Sequence, residues 1–297
     1  MSTLTPESAS AAQSIDVLAA APSERTAPAA PVQVGMGAWP GILLNETHKG
    51  LLLSWSYKFN LLTMMLTMGF IFIGIVFFMG RGDLDRAAIP SALLGYLMWF
   101  YALTAISNMS WDLREEAQTG TLEQRYLSPA PTGLIQLGRS FSNLITTTII
   151  VGLFTLVLVL LLGVELPLRL AAIPVFILTM MGLYGFGFLI GGATLIFKQV
   201  ESLANLVQNM LLFLNGAFLP VDRLPTWLAV IAYTLPTTQG IIVMRKVVLE
   251  GESLLAVWAD GSLVWLLLHS VAYFVVGWVV FDFCERKARR DGLLGQY

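Results

Sequence analysis

Six windows without a single Asp, Glu, Lys or Arg decide what this chain can become. They cover residues 59–80, 87–111, 140–164, 170–197, 202–221 and 261–281, and each holds between 20 and 28 residues. A hydrocarbon core about 30 Å thick takes roughly 20 residues of helix at about 1.5 Å per residue, so each window suffices. A charge at the centre of such a helix costs roughly 2.5–3.5 kcal/mol, which is why the windows are clean. With no water in the core to satisfy the backbone, a single crossing segment has to be a helix. The windows predict an all-α polytopic membrane protein with six transmembrane helices, at 59–80, 88–109, 140–163, 170–197, 203–220 and 262–282.

Composition agrees and removes other classes. Charged residues make up 12% of the 297, hydrophobic ones 56%, and the mean hydropathy is +0.74. Water-soluble domains carry about twice that share of charge. A net charge of −2 argues against a nucleic-acid footprint. The single cysteine, Cys284, rules out an internal disulfide or a thiolate metal site and reads as a packing residue. Residues 1–40, rich in Ala, Pro and Ser, read as a disordered cytoplasmic tail, and they lack the basic start and apolar run of a secretory signal. The transmembrane domain is expected over 41–290, with a short cytoplasmic tail over 283–297.

Leu224 to Met244 is also free of charge, but Pro225, Pro236 and Gly240 interrupt it. It suits short helices or a re-entrant hairpin between the fifth and sixth spans rather than a crossing. Six spans put both termini on one side. With the termini inside, ten near-membrane Lys and Arg fall inside and six outside, so the positive-inside rule puts both termini in the cytoplasm of a cell membrane.

Between spans two and three lies SWDLREEAQTGTLEQRYLSPAP, Ser110 to Pro131. A helix over 87–119 would be about 50 Å long and would carry Trp111, Glu115 and Glu116 out of the bilayer. Gly120 can close it, Thr121 and Gln124 fit a capping box, and a second short helix ends before Ser128-Pro129. The result is a cytoplasmic helix–turn–helix elbow. A plain solvated loop is the alternative, and a catalytic Glu115/Glu116 pair is another. Against the latter, no histidine lies nearby and adjacent helical side chains diverge.

The elbow sequence REEAQTGTLEQRYLSPAP resembles the cytoplasmic segment of type-2 ATP-binding-cassette (ABC-2) export permeases. FLNGAFLPVDRLPTWLAVIAYTLPTTQGIIVMRKVVLEG resembles that family's fifth span and outer re-entrant segment, matching at Gly216, Pro220, Leu224-Pro225, Pro236, Arg245 and Gly251. The resemblance covers roughly residues 45–290. It implies six spans per subunit, two subunits per pore (a second copy or a related permease), and cytoplasmic ABC ATP-binding subunits gripping the elbow. The coupling residues it implies are Trp111, Glu115, Glu116, Gly120, Thr121 and Glu123. No cofactor is expected on this chain, ATP and Mg belonging to the partner subunit. No G-x-x-x-x-G-K-[ST] occurs in the chain, which fits.

Polar residues inside the windows are candidates for a substrate path. Asn205, Gln208, Asn209 and Asn215 fall within about 120° of arc on the fifth span, and Asn143 lies on the third. They serve either as interhelical glue or as path lining. Gly187 and Gly191, four apart on the fourth span, are expected to allow close helix packing. His269, midway along the last span, reads as a buried hydrogen-bonding residue, and Asp282 and Arg286 are spaced to pair. Function thus reads as an export permease for a hydrophobic or amphipathic substrate. A membrane-embedded lipid-processing enzyme or an ion-coupled carrier is the alternative.

Overall fold

A computed structural model describes residues 58–82, 88–119, 132–167, 169–197 and 200–291, with isolated positions between 40 and 52. The tail over 1–39, the capping box and the second elbow helix lie outside the described residues, as do Gly120, Thr121 and Glu123. The helices in chain order are α1 (Lys58–Met79), α2 (Ile89–Gln118), α3 (Thr132–Leu162), α4 (Ala172–Ile196) and α5 (Val200–Leu214). There follow α6 (Thr226–Thr234), α7 (Thr238–Arg245, continued by a π turn over Lys246–Glu250), α8 (Leu254–Ala259) and α9 (Ser262–Arg290). No strand occurs among the described residues. The protein is an all-α, multi-pass membrane protein.

Five of these helices, α1, α2, α3, α4 and α9, are long and apolar enough to cross a membrane alone. α5 is not: its 15 residues rise about 22 Å. The window containing it is charge-free to Val221, but Asn215-Gly216 ends the helix early. Asn215 Oδ1 accepts the Ala217 N–H at 2.9 Å, and Gly216 takes φ +81°, a conformation glycine adopts without strain.

α5 nevertheless carries the chain from one end of the bundle to the other. It runs antiparallel to α2, with Trp99 Nε1 donating to Gln208 O at 2.9 Å and the turn at Ala217 lying against Gly95. A Cβ on Gly95 would fall 2.3 Å from Ala217 Cα, so only glycine admits this turn. α6 and α7 then bend by 89°. They stay near the end where α2 begins, because Arg245 Nη2 donates to Ser91 O and Ala217 O at 3.0 and 2.8 Å. The pair therefore returns to the end from which it set out, as a re-entrant hairpin does, and α9 is the next helix long enough to cross.

The tightest seam joins α4 and α9. A Cβ on Gly277 would lie 1.9 Å from Gly185 O, and one on Gly185 would lie 2.5 Å from Phe274 Cα. Gly182 and Gly192 extend the seam at Ser270 and Phe281. Small residues let backbones touch, which is how helices gain packing energy where the surrounding lipid is as apolar as they are. The expected pair faces elsewhere. Gly187 and Gly191 look toward α2, where only Gly191 is crowded: a Cβ there would lie 2.9 Å from Met109 Cγ. At the centre Phe72, Tyr96, Trp99, Phe154 and Phe218 form one aromatic cluster around the Tyr96 ring.

Candidate functional site

Most of the described residues named above lie in two regions, the last turns of α2 and the face of α5 with the turn after it.

α2 is 30 residues, about 45 Å, so its last turns stand beyond a core of about 30 Å. Trp111 is 55% exposed, Glu115 is exposed, and Thr119 follows them on the same side of the helix. Thr119 Oγ1 closes the helix by donating to Glu115 O at 2.8 Å. Glu116 looks the other way and pairs with Arg139 of α3 at 2.5 Å. The stalk is therefore tied to the next described helix of the chain, and Trp111 with Glu115 forms its outward stripe.

The start of α3 is tied in turn to the end of α9. Glu285 is buried, 7% exposed, and its Oε1 accepts from both Thr132 Oγ1 and Arg289 Nη2. A buried carboxylate is costly unless paired and hydrogen-bonded, and this one is both. Gly133 lies against the Trp278 ring, where a Cβ would meet it at 2.8 Å. Deeper in, Gln136 Nε2 contacts Met109 Sδ at 2.9 Å and Ser110 bonds Thr194 at 3.3 Å. Thr132, Arg139, Glu285 and Arg289 were not singled out from the sequence. The i, i+4 spacing of Glu285 and Arg289 was the available signal, beside Asp282 and Arg286, which do pair.

The five amide candidates separate. Gln208 is buried, its Nε2 donating to Ser107 Oγ of α2 at 3.0 Å, so it joins two helices of the same chain. Asn215 is fully buried in the turn described above. Asn143 is half-buried on α3, which packs on α1 and α2. Asn205 and Asn209 remain, both exposed on α5 among exposed Leu206, Met210 and Phe213. His269 stands between Trp265 and Tyr273, at ring distances of 6.1 and 4.9 Å. Among the described residues no cluster of His, Cys, Asp and Glu could hold a metal ion.

Comparison with known proteins fits this geometry. The family model of ABC-2 type transporters matches residues 41–249, which take in α1 to α7 and the segment between α2 and α3. The chain belongs to the ABC-2 type transporter family. Among its relatives is the probable multidrug ABC transporter permease YbhR of Escherichia coli strain K12, and the same permease of strain O157:H7. Each is 28% identical over 158 residues, covering 50% of this chain and 41% of the relative. The chain thus spans less than half the length of these relatives in the match. As an ABC-2 protein it is a transmembrane transporter subunit, and α2 with its stalk and the re-entrant hairpin fall inside the matched residues.

Proposed function

We propose that the chain is the permease subunit of an ATP-driven exporter, moving a hydrophobic or amphipathic molecule out of the cytoplasm or inner leaflet. The observation that carries the reading is the stalk: a continuous helix longer than a bilayer core, its end braced by Glu116–Arg139 and by buried Leu113 while Trp111 and Glu115 stay exposed. A stiff, braced projection can pass a push from a partner into the bilayer; a loosely solvated loop cannot. In this reading a cytoplasmic ABC ATP-binding subunit docks on Trp111, Glu115, Gly120, Thr121 and Glu123, and it alone binds ATP and Mg. Both termini are cytoplasmic, in line with Lys287, Arg289 and Arg290 at the end of α9. Two permeases face each other across the transport route. The relatives' name, multidrug permease, and the apolar surface around Asn205 and Asn209 favour an amphipathic cargo over a sugar or an ion.

The test is reconstitution with the ATP-binding subunit in proteoliposomes. Amphipathic compounds should stimulate ATP hydrolysis and be moved toward the side opposite the ATPase. Glu115→Arg should remove both while the permease still inserts. Hydrolysis indifferent to the permease and to Glu115→Arg would sink the proposal.

A further inference from the structure

At the bundle end opposite the stalk, a cavity of about 370 Å³ opens between the last turn of α1, the first turn of α2 and the turn after α5. Its size lies in the range of small-ligand sites. The apolar part of its wall includes Val76, Ala92 and Phe218, while Ser91, Arg223 and Arg245 supply the polar part. No carboxylate lines it among the described residues. Among the described residues neither arginine has an ion pair, and the adjacent Asp222 is occupied, its Oδ1 accepting from Tyr233 at 2.8 Å.

Arg245 is the informative residue. It is held in place by Nη2, which donates to the carbonyls of Ser91 and Ala217. Its Nε is buried and has no partner among the described residues. A guanidinium fixed by two neutral carbonyls is left uncompensated by any described residue, and in a membrane protein that is costly unless an anion answers it. Guanidinium donors match the oxygens of phosphate and carboxylate groups. Arg223, exposed and without a side-chain bond, stands at the same cavity as a second cation, and Ser91 brings a hydroxyl. Arg81, exposed, follows the wall residue Gly80 directly in the chain and is a third cation near this end of α1.

We propose that this cavity is a binding site for a phosphate-bearing anion, with Arg245 as its fixed donor and Arg223 as its mobile one. A lipid headgroup and free phosphate share that chemistry. The exposed apolar residues Phe77, Phe78 and Met79 on α1 beside it suit an acyl chain. The site is independent of transport direction and of the ATP-binding subunit, so its test stands apart from the export reading.

The full-length chain in phosphatidylcholine nanodiscs is titrated with phosphatidylglycerol, followed by native mass spectrometry, and separately with inorganic phosphate, followed by calorimetry. Phosphatidylglycerol should be retained about tenfold over phosphatidylcholine, the scale of one charge-assisted hydrogen-bonded contact. Binding in the lipid arm alone assigns a headgroup site, and binding in the phosphate arm as well assigns a general phosphate site. Arg245→Gln also loosens the tie between α2 and the turn, so Arg223→Gln decides, and it should lower affinity about tenfold with unchanged melting. Two results overturn the proposal: no preference for phosphatidylglycerol over phosphatidylcholine together with no phosphate binding, or wild-type affinity in Arg223→Gln. A third does the same. Asp83 and Asp85 lie outside the described residues, and binding seen only after Asp83→Asn with Asp85→Asn would mean the chain answers its own arginines.

Discussion

At the residue scale, glycines and buried charges carry the architecture, and neighbours set their effects. Gly277 and Gly152 look alike in sequence, each a glycine within a long apolar helix. A Cβ on Gly277 would strike Gly185 O at 1.9 Å, whereas one on Gly152 meets nothing within 4 Å. Gly277→Ala should therefore force α4 and α9 apart at a cost of about 1–3 kcal/mol, and Gly152→Ala should leave stability unchanged. Thermal melting of the two purified variants checks the contrast, and equal melting would remove the seam from its central place. Asp260 gives a pH expectation. It accepts from Lys246 Nζ at 2.6 Å and from the Ser262 N–H at 2.8 Å, which hold its carboxyl at about 2, well below the ordinary value. A depressed folded value means that its stabilisation is complete above the unfolded value of about 3.9 and lost only as pH falls toward 2. The drop in melting temperature caused by Asp260→Asn should therefore be the same at pH 5 and pH 8. A drop that shrinks on going from pH 8 to pH 5 would show that the pair titrates in that range.

At the element scale the stalk and the turn after α5 teach opposite lessons about what sequence reveals. The clean windows announce crossing helices because a charge in lipid is costly, and α1 to α4 and α9 overlap five of them. Absence of charge, however, does not say where a helix stops. Asn215-Gly216 stops α5 inside its window, a turn dipeptide set within an apolar run. Side-chain partners across helices were the least legible part. Nothing in the spacing of Glu116 and Arg139, or of Thr132 and Glu285, places them together; the return of α3 along α2 and the end of α9 does. If the Glu116–Arg139 tie passes motion from stalk to bundle, Glu116→Arg or Arg139→Glu alone should cut ATP-driven transport by roughly tenfold, about 1.4 kcal/mol. The exchanged pair, Glu116→Arg with Arg139→Glu, should recover most of it, while membrane insertion stays constant throughout. A double variant no better than the singles would mean that each residue acts through some other contact.

At the scale of the whole molecule, one face of the chain does not suit a solitary existence in lipid. α5 turns Asn205 and Asn209 outward, while Gln208, on the side facing α2, is consumed inside the subunit. Carboxamides facing acyl chains have no partners and cost free energy, so a face that keeps two of them one turn apart is covered by protein or by a polar route. A second copy of the chain related by a two-fold axis meets that need, because a residue near the axis meets its own counterpart and amides satisfy one another. Asn209→Cys, in a Cys284→Ala background that removes the native thiol, should cross-link into a dimer with a short bifunctional thiol reagent. Leu156→Cys, exposed on α3, should remain monomeric under the same treatment. If the amides line a route between the copies, replacing Asn205 and Asn209 by Leu should leave the dimer intact but change which amphipathic compounds stimulate ATP hydrolysis. Cross-linking through Leu156→Cys and not through Asn209→Cys would place the second subunit on another face and return these two amides to the lipid boundary.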